Sequence, residues 1–148
     1  MAKKPRKNWV NPLKDMLSRN GVSIDDTVLS RNRNVFLAGW RGRAKRIVAA
    51  SSTEKGFWGI QKKVVSAPEL KGHEWGALFL DIRSSKCFWV DAPNVTRVSD
   101  SSSADEYLFR TSMLEEKWDL VHKIDVDVKD EVELVRNFLS LVGLEADE

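Results

Sequence analysis

The sequence predicts an α+β (mixed α/β) fold, a single domain on a four- to six-stranded sheet with N- and C-terminal helices. Three observations carry that expectation. Short apolar runs bounded by turn residues recur from Val35 to Val90, an amphipathic stretch flanks them on each side, and 148 residues, 42% of them hydrophobic, suffice for one core. With 31% charged residues, the composition fits neither a disordered chain nor a membrane protein.

Residues 1–8 are polar and basic with Pro5 among them, and read as a flexible arm ahead of a globular domain over residues 9–148. Asn11-Pro12 opens a short helix, with Asn11 as N-cap and Pro12 first in the helix. Leu13, Met16 and Leu17 share one face, and Asn20-Gly21 ends it. Strands are expected at Val35–Ala38, Ile47–Ala50 and Phe57–Ile60, with Gly39–Gly42 as a turn and Ser51–Thr53 as a loop. Val64–Leu70 is ambiguous around Pro68. Gly76–Ile82 is apolar on both faces until Asp81, as a central strand is. Arg83–Lys86 then turns the chain so that Cys87–Val90 pairs back as a hairpin. Ser103 and Glu106 have capping-box spacing, yet Tyr107–Phe109 reads equally well as a strand. In the last helix Val132, Val135, Leu139 and Val142 form a stripe, with Leu134, Phe138 and Leu141 beside it. Gly143 stands at its C-cap, and Asp127, Asp130, Glu131 and Glu133 favour its N-terminus.

No apolar run approaches the roughly 20 residues of a bilayer span, so a membrane is not an expected partner. The charges of Lys3–Lys7 precede no hydrophobic segment, which does not fit a secretory signal. The cytoplasm is the expected location, or the nucleus in a eukaryotic cell, where this basic run matches a localisation pattern. The single cysteine, Cys87, leaves no internal disulfide.

The formal net charge of +2 conceals a strong asymmetry. Residues 1–72 hold 16 Lys+Arg against 5 Asp+Glu, whereas residues 73–148 hold 8 against 17. Between Thr27 and Thr53 come Arg31, Arg33, Arg41, Arg43, Lys45 and Arg46 with no acidic residue. Such a block points to a polyanionic partner, or to an acidic half folded over a basic one. Arg41 and Arg43 alternate along the chain, so on an extended segment they face one side, where guanidinium groups grip phosphates bidentately. Trp40 beside them suits either stacking on an unpaired base or covering the core. Trp58 reads as core, and Trp75, Trp89 and Trp118 as core or core edge.

Catalytic chemistry finds weaker footing. His73 and His122 have no ligand spacing, and Cys87 sits mid-strand, where cysteines act as small hydrophobes. No glycine-rich phosphate loop is present, no metal is assigned and no cofactor is implied. A metal-dependent nuclease needs carboxylates that converge; Glu54, Glu69, Glu74, Asp81 and Asp91 lie near expected strands, and Glu54, Glu74 and Asp81 are the candidates. For Asp81 the plainer reading is a strand-end carboxylate satisfied by turn amides.

Two resemblances follow from these residues. Trp40–Arg46 resembles the Arg-Gly-Arg-Pro core of AT-hook peptides, with Ala44 in place of the proline. Arg46–Ser52, Gly56–Ile60, Trp75–Asp81 and Phe88–Val90, within residues 46–98, resemble the later strands of restriction-endonuclease-like domains of the PD-(D/E)XK class. Val48, Ala49 and Ala50 stand where that family carries its acid and lysine. The resemblance therefore implies a nuclease-like scaffold without the usual metal site, kept for DNA or partner binding.

The expected function is non-catalytic binding of DNA or RNA through Arg31, Arg33, Trp40, Arg41, Arg43, Lys45 and Arg46. The alternatives are a protein-interaction module, such as an inhibitor or accessory subunit, using the acidic C-terminal half, and a nuclease with a rearranged site.

Overall fold

The computed structural model describes residues 9–29, 32–51, 56–81, 86–125 and 130–145. In chain order they form α1 (Val10–Arg19), β1 (Ser23–Asp25), β2 (Val35–Trp40), β3 (Arg43–Ser51), β4 (Phe57–Gln61) and α2 (Lys62–Val65). Then come β5 (Trp75–Asp81), β6 (Lys86–Asp91), α3 (Ala92–Val98), β7 (Glu106–Arg110), α4 (Thr111–Glu116), β8 (His122–Asp125) and α5 (Glu131–Leu141). The architecture is α+β: an open mixed sheet ordered β1-β2-β3-β5-β6-β8 and a separate two-stranded sheet of β4 and β7. Among the described residues no helix is long and apolar enough to cross a membrane.

Side-chain alternation sets the layers. On one face Ile47, Ala49, Leu78, Leu80, Cys87 and Trp89 meet α1 and α5. On the other Val48, Ala77, Phe79, Phe88 and Val90 meet β4, β7 and α2–α4. The inner strands must therefore be apolar on both sides, which is why Trp75–Asp81 reads as continuous hydrophobic sequence. β3 and β5 pair in parallel, from Arg46 opposite Trp75 to Ser51 opposite Leu80. The connection between them cannot be a tight turn, and β4 and α2 lie within it. The expected hairpin of β5 and β6 forms, with Leu78 opposite Trp89 and Asp81 opposite Lys86.

Several local expectations are corrected. α1 starts at Val10 with Trp9 as N-cap, so Asn11 caps nothing. Pro12 sits within the first turn, where amides lack helical partners in any case. The Leu13 face also buries Lys14, whose Nζ reaches Asp26 Oδ2 at 3.1 Å and the Arg33 carbonyl at 2.8 Å. A buried ammonium is tolerable only with such partners. Ser51 belongs to β3, and Val64–Leu70 divides into the end of α2 and a run of turns. Tyr107–Phe109 is strand, held by β4 on one side and by an Asp100–Leu108 bridge on the other. In α5 the buried side is Leu134, Val135, Phe138, Leu139 and Leu141, while Val132 is 62% exposed at the first turn. Asp130 caps this helix by accepting from the Glu133 amide, and Gly143 follows it with φ of 78°. Glu131 at its start accepts from Arg19 and Asn20, and the Arg19 guanidinium holds its carboxyl below the usual range. The basic arm over residues 1–8, Thr53, Ile82, Arg83–Ser85 and Asp127 lie outside the described residues.

Gly76 marks the tightest packing in the sheet. The Trp89 indole lies across it so closely that a Cβ there would sit 2.2 Å from the ring. Gly76→Ala must displace a tryptophan that is 1% exposed, at an expected cost of about 1–3 kcal/mol from overpacking. Denaturant unfolding followed by fluorescence checks this, and a wild-type midpoint contradicts it.

Candidate functional site

The β2–β3 hairpin gathers the basic residues that the sequence singles out, but not all on one surface. Trp40 pairs with Arg43, which leaves Arg41 and Gly42 as a two-residue loop. Their φ values of 48° and 82° are the signature of a type I′ turn, whose twist matches that of the strands. The Gly39–Gly42 turn thus narrows to its last two residues. Arg41 is not on an extended segment, so the alternation expected of Arg41 and Arg43 does not hold at Arg41. Both side chains are nevertheless exposed, and neither forms a salt bridge among the described residues. The Arg41 guanidinium lies 5.1 Å from the Trp40 ring centroid. Trp40 is half-buried against the α1–α5 core, with its ring over Gly21, and so covers core while supporting an arginine.

Arg41 is the one non-glycine residue with positive φ among the described residues. This region costs an L side chain roughly 1–2 kcal/mol, and asparagine or glycine fills it more cheaply. An arginine at this place is poorly explained by the backbone and better explained by what its side chain does.

The other predicted residues separate from the tip. Lys45 shares a β3 face with Ile47 and Ala49, where its ammonium donates to the Val142 carbonyl and lies 5.7 Å from the Trp89 ring centroid. It therefore caps α5, whose last carbonyls carry partial negative charge. Arg46 points to the opposite face, half-buried, and its Nε has no hydrogen-bond partner among the described residues. The Arg46 amide donates to the Glu74 carbonyl, which brings the exposed turn of Lys71 and His73 alongside. Arg33 lies beyond the far end of β2, about 17 Å of strand away from the tip. Its carbonyl already holds Lys14. Arg31 is outside the described residues.

A cleft of about 450 Å³ opens beside Lys45, bounded by Trp89, Asp91, His122, Lys123 and the Ser140–Gly143 end of α5. Asp91 Oδ1 accepts from Trp89 Nε1 at 3.0 Å. Sequence reasoning placed Trp89 in the core or at its edge and counted Asp91 only among the carboxylates near strands. The one legible sign was a lysine on a strand otherwise turning apolar, with a helix-ending glycine far along the chain.

The remaining candidates part company. Glu74 precedes β5 and Asp81 ends it, so about 23 Å of extended chain keeps them from a common metal. Asp81 is 1% exposed and its Oδ1 has no hydrogen-bond partner among the described residues, while the turn whose amides were expected to satisfy it, residues 82–85, lies outside them. Glu54 is outside the described residues, among which no three metal-ligating side chains gather. Burial pushes the Cys87 thiol far up, away from a nucleophilic thiolate. Trp58 is core, its Nε1 donating to the Leu80 carbonyl at 3.0 Å. Trp118 is 80% exposed, which corrects its placement in the core or at the core edge: the turn after α4 is anchored by Leu120 and Val121 instead. No protein-family model and no curated protein matches the chain.

Arg41→Asn tests whether the tip trades stability for its side chain. The variant is expected to unfold later, by about 1 kcal/mol, because asparagine accepts the left-handed backbone more readily. Denaturant titration reads this directly, and an unchanged or lowered stability contradicts it.

Proposed function

We propose that the protein is a non-catalytic nucleic-acid-binding protein that grips phosphates with the tip of the β2–β3 hairpin. The observation that carries this reading is Arg41, exposed at a strained turn and in no ion pair among the described residues, with Trp40 beneath it and exposed Arg43 paired across from Trp40. Guanidinium groups held on a rigid ribbon bind phosphate oxygens with little ordering cost. Lys71, in the turn beside Arg46, adds one exposed ammonium at this end of the sheet. The resemblance to restriction-endonuclease-like domains adds a scaffold of the right kind. The expected lack of cleavage rests on the missing acid and lysine at Val48, Ala49 and Ala50.

One observation favours the protein-interaction reading. Trp118 is solvent-exposed beside Glu116, Lys117 and Asp119, with Glu115 already paired to Lys86, and its bare indole suits a basic protein partner through a cation–π contact. A stoichiometric protein complex that Trp118→Ala dissolves, with nucleic-acid binding intact, would establish it as a separate activity.

Salt dependence tests the leading reading. Each phosphate contact contributes a log–log slope of roughly −0.9 on duplex and −0.7 on single strands. Replacing Arg41 and Arg43 together by alanine is expected to flatten the slope by about 1.4–1.8, while Glu116→Gln leaves it unchanged. Anisotropy titrations over a salt series check this. A double variant with the wild-type slope, or no binding of the wild type at low salt, contradicts it.

A further inference from the structure

The Arg46 side chain is held in place by the fold but engaged by nothing in it. Strand alternation puts it with Val48 on the β4–β7 side of the sheet, away from Lys45 and the end of α5. There it stands in a row across the strands, opposite Leu37 on β2 and Trp75 on β5, both half-buried. Its guanidinium forms no hydrogen bond or ion pair among the described residues, and its Nε is shut off from solvent. A buried N–H without an acceptor is costly, so its position is better explained by a partner outside the fold. The terminal Nη1 and Nη2 have no acceptor either, but solvent reaches them.

A stem sunk between two half-buried neighbours loses little freedom on binding, so the guanidinium fork is preorganised. Its outer N–H groups match the two oxygens of a phosphate. The carboxylates around it do not pair with it. Asp25, beyond Leu37 in the same row, accepts from the Thr27 hydroxyl and amide, which hold its carboxyl below the usual range. Glu74 alternates to the other face from Trp75, and Glu69 forms no ion pair among the described residues. Lys71 adds an exposed ammonium in the turn whose Glu74 carbonyl takes the Arg46 amide. Trp75 keeps part of its indole open beside the fork, and such a pairing of aromatic and guanidinium is what an unpaired base stacks on. The next row toward the tip is Ser23, Gly39 and Ala44, all small, so a strand can pass closely from Arg46 to Arg41.

We infer that a single strand of nucleic acid crosses this face of the sheet, with one backbone phosphate on the Arg46 guanidinium and the neighbouring unpaired base on Trp75. The inference rests on the hairpin-tip reading and adds to it the strand type and the face that the strand follows from the tip. A duplex keeps its base faces in its own stack, so it meets the tip arginines without reaching Trp75.

The test compares fluorescent oligo-dT with a duplex of equal length over a salt series. Oligo-dT is expected to bind several-fold more tightly than the duplex. Arg46→Gln should flatten the single-strand log–log slope by about 0.7, and Trp75→Leu should weaken oligo-dT binding about tenfold, with duplex binding unchanged in both. Because Trp75 also packs on the core, a measurement on the wild type stands beside the variants. A bromouracil-substituted strand, photocrosslinked and mapped by mass spectrometry, is expected to join Trp75. A wild-type slope in Arg46→Gln, an adduct map without Trp75, or a duplex bound as tightly as the single strand overturns this path. The hairpin reading then still stands on the Arg41 and Arg43 double variant. No binding of either oligonucleotide by the wild type at low salt overturns both.

Discussion

The parallel pairing of β3 with β5 is the constraint on which the rest of this molecule depends. Parallel neighbours cannot be joined by a hairpin, so the chain must leave the sheet after β3 and return at the end where β3 began. That detour provides β4, which pairs with β7 to cover one face, while α1 and α5 cover the other. With both faces covered, β3, β5 and β6 carry apolar residues in both alternating sets. The same pairing delivers the Lys71–Glu74 turn to the side of Arg46. The β5–β6 hairpin beside it sets Trp89 over Gly76, so the indole reaches across β5 to Lys45.

Charge is then sorted by geometry rather than by position along the chain. The basic run from Arg33 to Arg46 is divided among a hairpin tip, two faces of one strand and the far end of another. Lys45 is engaged in capping a helix, and the Arg33 backbone in holding a buried lysine. What remains free is concentrated where the backbone is strained, at Arg41. Strain at an exposed arginine costs stability without improving the core, which connects the tip to a role outside the fold.

Much of the sheet was legible because its signal is local. Gly76–Asp81 and Cys87–Val90 announce a buried hairpin by composition, and Ile47–Ala50 announces its neighbour. The partnership of β4 with β7 was not legible, since it joins residues about fifty apart and depends on the crossover. The short helices α2, α3 and α4 have too few turns for a periodic signal. Val132 misled because one valine at the right spacing cannot show how far the buried arc extends. At the site, the turn and its arginines were visible as Gly39–Gly42 and Arg41–Arg43. The split of Lys45 from Arg46 follows from strand alternation once the register is known. The cleft joins Lys45, Asp91, His122 and the end of α5, and nothing short of the tertiary fold brings those together.

We propose that the hairpin tip, and not the corner at Trp118, is the surface that meets nucleic acid. The most direct measurement is a two-dimensional amide NMR titration with a short single-stranded oligonucleotide at low salt. Shifts are expected to concentrate at Gly39–Arg46 and the Lys71–Glu74 turn. Shifts confined to Leu114–Val121, or a spectrum that does not change, would contradict it.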